Sequence, residues 1–560
     1  MNLEFLIVAV PVLPLMAAIA GQLTAGRLQH KVARISVLAT LAAFVAALSL
    51  LLLALSGHPP HAFSLGDGWG ILQFDPLGAL MGVLISGISL IVHLYSLRYM
   101  ADEPGYARFF VLLGLMTASL LLMVAAGDLI TLLVAWHLVG VLLYFLLGHD
   151  TSSLPAQRYA MWTLITYRLG DLPLILAAAV LVDAYGSWSL AELFARIAES
   201  PRAPSLGGLP ATELAGMLVA LAAFARSAQF LLHNWLPYSM SGPTPVSALM
   251  HAGIVNAGGF LINRFAPLYM HTSDVLYLLF VVGLVTAVIG SMLMLSQNDI
   301  KKALGYSTMG QMGFMIMECG VGAFSLAVFH LIAHGLFKGT LFLGAGGVIG
   351  QARQADGVPK HELYTFVVER QVQSRRPPWL MMAVITLLIP LIILVTAHWV
   401  VAQDYFQKQG AIVLLFFGWV TGAQLIFATY KMQSANPWRL FGMIIASFTI
   451  VVIGYTLISH AFDVFLYPDP QARDLLYAAA GLDLVWFDLL MVLVTLVIVL
   501  GWLLVYYSDR SKRGGAIRNA LWRNLYALIA RELHMIELFG WLSRQLLVLA
   551  TRLNRLLRWI

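Results

Sequence analysis

Apolar runs of about 20 residues recur from one end of the chain to the other, separated by short polar stretches. A helix of that length crosses the hydrocarbon core of a bilayer. The pattern predicts about 15 membrane helices, near 4–24, 34–56, 76–98, 107–126, 128–147, 160–184, 213–234, 243–268, 276–297, 302–320, 323–350, 379–401, 410–430, 437–459 and 486–508. One stretch, Ser189–Ser200, has a polar face and predicts a helix lying in the interface.

Composition removes the alternatives. Only 11% of the 560 residues are charged, against roughly 25% in soluble domains, so there is too little charge to coat a water-facing surface. Mean hydropathy is +0.84, which agrees. The first apolar segment starts at Leu3 without a basic region before it and does not read as a cleaved signal peptide. The single cysteine, Cys319, excludes an intramolecular disulfide and a cysteine metal site. No nucleotide, flavin or iron–sulfur motif is present, so no cofactor is expected in this chain, and no nucleic-acid partner.

The net charge of +6 matters through its placement. Arg27, Lys31 and Arg34 lie in the first loop, Lys301 and Lys302 in a later one, then Arg353, Lys360, Arg370, Arg375 and Arg376. With the helices counted above, these loops share one side, which the positive-inside rule makes the cytoplasm. The N-terminus is then outside, as is the acidic loop 460–485. Residues 509–560 hold ten Arg and Lys interleaved with Leu, Trp and Ile, from Arg510 to Arg558. This predicts cytoplasmic amphipathic helices, serving as an interfacial anchor or a partner-docking arm. The expected location is a bacterial inner membrane.

Ionisable residues inside spans cost about 2.5–3.5 kcal/mol each and are functional candidates. Here they are His137, Arg168, Asp171, Arg226, His233, His251, His330, His334 and Lys338. In FHLIAHGLFKG, His330, His334 and Lys338 recur every four residues, which puts them on one helical stripe able to carry a proton wire. His330 and His334 also have metal-pair spacing, but HExxH is absent and no metal is expected. Arg168 and Asp171 are three apart, the spacing of an ion pair with a gating or static role. In GPTPV, Pro243 and Pro245 predict a broken helix near 242–246, with Arg226 before it and His251 after it.

The stretches ARSAQFLLHNWLPYSMSGPTPVSALMHAG and NDIKKALGYSTMGQMGFM, the latter followed by FHLIAHGLFKGTLFL, resemble the antiporter-like membrane subunits of respiratory complex I and the large Mrp antiporter subunits. The resemblance covers roughly residues 60–350. It implies an all-α polytopic membrane protein with two inverted-repeat bundles, each with a broken helix and a central lysine. The expected organisation is N-terminal helices over 1–106, a first bundle over 107–268, a second, reduced bundle over 269–460, a last helix with its preceding outer loop over 461–508, and the tail over 509–560. Arg168 and Asp171 match the family's charged pair. His251, His330, His334 and Lys338 match its central polar axis, and Asp299, Lys301 and Lys302 match a segment at a helix start that would couple to the cytoplasmic side.

Two departures stand out. His137 occupies the position of the family's glutamate, and Arg226 that of a lysine. Arginine stays protonated, so Arg226 can act only as a fixed positive charge beside His137. The distal lysine of the second bundle has one late candidate, Lys431, at a helix end. These departures and the basic tail resemble a divergent branch, the DabB-type membrane subunits of two-component inorganic-carbon uptake systems. That resemblance implies a soluble cytoplasmic DabA-type partner that is similar to a carbonic anhydrase and holds zinc. The function expected is conduction of protons, or sodium, that energises CO2 or bicarbonate uptake. The alternatives are a subunit of a complex I-type oxidoreductase, an Mrp-type cation/proton antiporter, and a non-conducting anchor. On the proton-wire reading, Lys338→Ala and His334→Ala should each abolish proton flux and coupled activity while the chain still reaches the membrane; intact flux in both would sink the wire.

Overall fold

The computed structural model describes residues 3–28, 30–66, 69–205, 208–239, 242–297, 299–352, 379–401, 437–480, 523–524 and 527–557, with isolated positions at 489, 492 and 496. The expected span at 410–430, nearly all of that at 486–508, the loop cations Arg353 to Arg376, Lys431 and the tail before Arg523 lie outside the described residues.

The chain is an all-α polytopic membrane protein. Its helices are α1 Leu3–Leu28, α2 His30–Leu55, α3 Pro76–Tyr99, α4 Tyr106–Ala125, α5 Leu129–Leu147, α6 Leu154–Tyr185, α7 Leu190–Glu199, α8 Ala211–Arg226, α9 Trp235–Tyr238, α10 Thr244–Leu249, α11 Ala257–Arg264, α12 Ala266–Tyr269, α13 Ser273–Ser296, α14 Ile300–Gly320, α15 Phe324–Ala352, α16 Trp379–Val401, α17 Pro437–Leu466, α18 Pro470–Ala479 and α19 Met535–Leu557. Among the described residues, ten segments are long and apolar enough to cross a membrane. The expected loop at 57–75 is instead a hairpin, β1 His61–Gly66 antiparallel to β2 Trp69–Phe74, with His61 opposite Phe74. The interfacial segment at 189–200 is the helix α7, which buries Leu190, Leu193 and Ile197.

Side-chain size is sorted as a lipid solvent requires. On α2, Ala33, Ser36, Thr40, Ala43 and Ala47 are buried, while Leu38, Leu41, Val45, Leu48, Leu52 and Leu55 are exposed. Lipid is as apolar as leucine, so helices associate through small residues that allow close approach. The seam between α13 and α14 is the extreme case. A Cβ on Gly283 would stand 2.5 Å from the Met317 backbone nitrogen, and one on Gly290 2.6 Å from that of Gly310.

Helix ends are set locally. Asp75, Asp128 and Asp299 cap α3, α5 and α14 by accepting from the backbone of Gly78, Thr131 and Lys302. The loops gather on two faces. On one, Ile71 of the hairpin donates to Asp128, Asp128 bridges to Ser189, and Arg264 pairs with Asp75. On the other, Tyr99 bonds Thr244 at 3.0 Å, and Lys301 reaches the same hydroxyl at 3.4 Å. There too, Arg108 donates to the carbonyl of His149, whose Nε2 donates to that of Pro104 at 3.1 Å. Burial first, then Arg108, holds the His149 imidazole below its ordinary pKa.

Two expected elements differ. The run expected as one helix over 213–234 ends at Arg226, and Ala228 and Leu231 adopt left-handed backbone, with φ of 48° and 74°. The prolines of GPTPV do not interrupt a helix; they start one. Pro243 is the N-cap of α10 and Pro245 sits in its first turn, where the missing N–H has no intrahelical partner to lose. The second irregularity lies further on, in a π-helical turn at Met250–Ile254 that holds His251. Gly313→Val should test the seam: overpacking of about 1–3 kcal/mol would lower the melting temperature in detergent by several degrees, and an unchanged melt would show that the helices are not in this contact.

Candidate functional site

The candidate residues lie in two groups of buried polar side chains joined by the broken segment; a separate cluster around His93, with Ser36, Ser89 and Thr117, lies between α2, α3 and α4. The first is built by α5, α6 and α8. Asp171 on α6 receives Arg168 of the same helix at 2.9 Å, Arg226 at 3.3 Å, and His137 Nδ1 at 3.1 Å. Arg226 is fully buried, donates to the carbonyl of Trp136, and lies 4.5 Å over the Trp136 ring and 4.1 Å over that of Tyr167. Gly140, one turn past His137, makes this possible, since a Cβ there would strike the Arg168 guanidinium and the Tyr167 ring.

The expected pairing of Arg226 with His137 is therefore corrected. Arg226 turns to Asp171 and the two rings; the guanidinium that lies against the His137 ring is that of Arg168. The cluster holds two permanent cations and one carboxylate, so Asp171 is shared between them. The His137 side chain is 53% exposed, on the outer side of the bundle.

The segment 227–256 links the groups. Ser227 donates to the carbonyl of Val255, tying the first break to the π turn at 2.8 Å. His251 bonds Thr308 of α14 at 3.0 Å through Nδ1 and stacks on Phe342 at 4.2 Å. His233 stacks on Phe230 with both ring nitrogens free of protein partners. Nε2 of His251, Oδ1 of Asn256 and the hydroxyl of Ser247 are likewise buried without a protein partner. Unsatisfied polar groups cost several kcal/mol in hydrocarbon. These buried polar atoms without a protein partner lie along the segment between the two groups.

The second group runs along α15. His330, His334 and Lys338 share one stripe, and the two histidine rings are 6.5 Å apart. Neither nitrogen of His334 has a protein partner. Lys338 is buried, donates to the carbonyl of Leu304 at 3.3 Å, and lines a cleft of about 290 Å³ with Asp299, Ser307 and Phe337.

The structure adds a residue that the sequence reading omitted. Glu318 of α14, buried beside Cys319, meets His330 Nδ1 with both carboxyl oxygens at 3.1 Å. Its signal was present: a lone carboxylate inside an apolar run. His330 Nε2 faces Gln311 Oε1 at 2.8 Å. An amide oxygen only accepts, so Nε2 carries a hydrogen. Nδ1 then either donates to a carboxylate or accepts from a carboxylic acid. The two side chains are thus joined by one shared hydrogen-bonding proton.

Lys301 and Lys302 stand on the face where α14 begins, Lys301 within 3.4 Å of the Thr244 hydroxyl, and Asp299 on that face joins Lys338 in lining the cleft. Pro243 and Pro245 belong to the same face.

Comparison with known proteins shows which family the chain belongs to. Residues 126–387 match the family described as NADH:quinone oxidoreductase/Mrp antiporter, transmembrane, and residues 69–110 match the N-terminus of complex I chain 5. A curated relative from Halothiobacillus neapolitanus, described as probable inorganic carbon transporter subunit DabB1, is 58% identical over the whole of both chains. The chain belongs to the antiporter-like membrane subunit family. A second relative, NAD(P)H-quinone oxidoreductase chain 5 of Synechocystis, is 37% identical over 63% of this chain and 54% of its own length. Among solved structures, the Mrp complex from Dietzia aligns with a TM-score of 0.57 at 24% identity, covering 99% of this chain and 63% of that one. The membrane-bound sulfane sulfur reductase, an archaeal respiratory membrane complex, aligns at 0.55 and 19%, covering 85% and 97%. At these identities the two structures speak for the fold alone.

The shared carboxylate is the energetic weak point of the first group. Asp171→Asn leaves two guanidiniums facing each other; breaking a buried ion pair costs about 3–5 kcal/mol. Folded chain in the membrane should fall steeply, and wild-type levels and melting would contradict the shared-carboxylate geometry. On the proton-wire reading, Glu318→Gln keeps the shape but cannot exchange a proton, so proton flux should drop at least tenfold at normal membrane levels, with Glu318→Asp recovering part of it.

Proposed function

We propose that this chain is the membrane subunit of an inorganic-carbon uptake system, conducting protons along the polar track to energise a soluble partner. The observation that carries the reading is the end-to-end likeness to DabB1; the likeness to the quinone oxidoreductase chain stops at about half of that protein's length. The proposed partner is a DabA-type, carbonic-anhydrase-like subunit with zinc, at the face where α10 and α14 begin. In this reading that face is cytoplasmic, the hairpin faces outward, and the membrane is the bacterial inner membrane.

Protons would enter on the hairpin side, where Glu318 and His330 share a hydrogen bond. They would pass His334 and Lys338 and leave by the cleft beside Asp299. His137, Arg226 and His251 would supply the first group and the link to it, with Arg168 and Asp171 setting the local charge. Arg226 keeps its proton and shapes the potential for the others. Protons fit better than sodium: a sodium ion needs several oxygen ligands, and the two buried carboxylates of these groups, Asp171 and Glu318, already face arginine and histidine.

The test is uptake of labelled inorganic carbon by cells lacking carbonic anhydrase that express this chain with its partner. Accumulation should exceed the control at least tenfold and collapse with a protonophore; collapse with a sodium ionophore instead would move the reading to sodium. Accumulation indifferent to both, or copurification with flavin and iron–sulfur subunits in place of one zinc protein, would overturn it.

A further inference from the structure

Among its described residues, the basic tail buries one acid. Glu532 precedes α19 and is 2% exposed. Its carboxylate pairs with Lys302 and accepts from the Tyr238 hydroxyl at 2.7 Å. Lys302 also donates to that hydroxyl at 2.9 Å and lies 4.4 Å over the Tyr238 ring. The three groups close a triangle drawn from three parts of the chain: the tail, the broken segment at α9, and the first turn of α14.

The backbone is bent to make this contact. Glu532, Leu533 and His534 are consecutive non-glycine residues at φ of 55°, 56° and 59°. Such backbone is uncommon for residues with a Cβ and persists only where the surroundings over-determine it. Further along, Phe539 packs against Trp162 of α6 at 6.0 Å, and Tyr159 of α6 stacks on Tyr238 at 5.2 Å. The tail is therefore seated against the bundle by an inserted acid with aromatic support.

The helix held by this contact carries the track. Beyond Lys302, α14 presents the Leu304 carbonyl to Lys338, Thr308 to His251, and Gln311 and Glu318 to His330. A helix moves as a rigid rod, so a shift at its start displaces all four contacts together.

We infer that Glu532 is a positioning residue: by clamping Lys302 and Tyr238 it fixes α14 and the broken segment in register, so that the tail sets whether the track is aligned for transport. This rests on the proposed transport reading but concerns a contact that reading does not use. The tail thereby acts on the membrane interior and is more than an anchor.

The experiment uses the full chain coexpressed with its soluble partner, in four forms: wild type, Glu532→Gln, Lys302→Gln, and the exchange Glu532→Lys with Lys302→Glu. Labelled inorganic-carbon uptake is read per mole of chain in the membrane, beside partner copurification. Each single substitution should cut uptake at least tenfold with chain level and copurification unchanged, and the exchange should restore at least a third. Wild-type uptake in the single variants would overturn the inference. So would an exchange as inactive as the singles, or loss of activity that merely follows loss of chain. If the wild type takes up no inorganic carbon, the carbon reading fails separately. The same four forms are then scored by acid-induced fluorescence quenching in proteoliposomes, where the same loss and recovery are expected and their absence is equally decisive against Glu532.

Discussion

A polar group inside hydrocarbon must find a partner within the protein, in water held by the protein, or not at all. The rest of this structure depends on that constraint. It explains why backbone is helical wherever it meets lipid, and why the irregular stretch after Arg226 and the π turn at His251 sit in the centre of the bundle, where the segment 244–264 is wholly buried. Breaks in the helices expose carbonyls and let side chains such as Ser227 and Asn256 tie strands of backbone together. The same breaks leave His233, His251 and Ser247 with unmet hydrogen-bonding capacity.

Close packing and chemistry are linked through the glycines. The seam of Gly283, Gly290, Gly310 and Gly313 lets α13 and α14 touch backbone to backbone. That contact holds α14 as a straight rail, from which Thr308, Gln311 and Glu318 reach the histidines. Gly140 does a similar service in the first group by leaving room for Arg168 and Arg226 around one carboxylate. In both places the side chain that is missing matters as much as those present.

The two polar groups differ in kind. The first is dominated by two guanidiniums, whose charge is permanent, and the carboxylate they share. The second is made of groups that titrate, Glu318, His330, His334 and Lys338, arranged in file. On the proposed reading, the first group sets a potential and the second carries a proton. The likeness to a probable inorganic carbon transporter subunit runs end to end, whereas that to the quinone oxidoreductase chain covers about half of its length.

The sequence by itself determined that the chain crosses a membrane many times, because apolar runs of about 20 residues have one stable solution in water and lipid together. It also determined the stripe of His330, His334 and Lys338, since helical period fixes which residues share a face, and the place of Arg168 beside Asp171. Tertiary structure decided what lies opposite those faces. The proton partner of His330 comes from the preceding helix, twelve residues away at Glu318, and spacing along one helix cannot report it. Arg226 reaches Asp171 and two rings in place of His137 because the crossing of three helices, permitted by Gly140 and Gly170, sets where its long side chain ends. The prolines at 243 and 245 marked a discontinuity, but whether they end a helix or begin one depends on neighbours such as Tyr99 and Lys301 that meet Thr244. Glu532 was one acid in a basic tail until folding set it against Lys302 and Tyr238; long-range contacts of that kind are written in no local pattern.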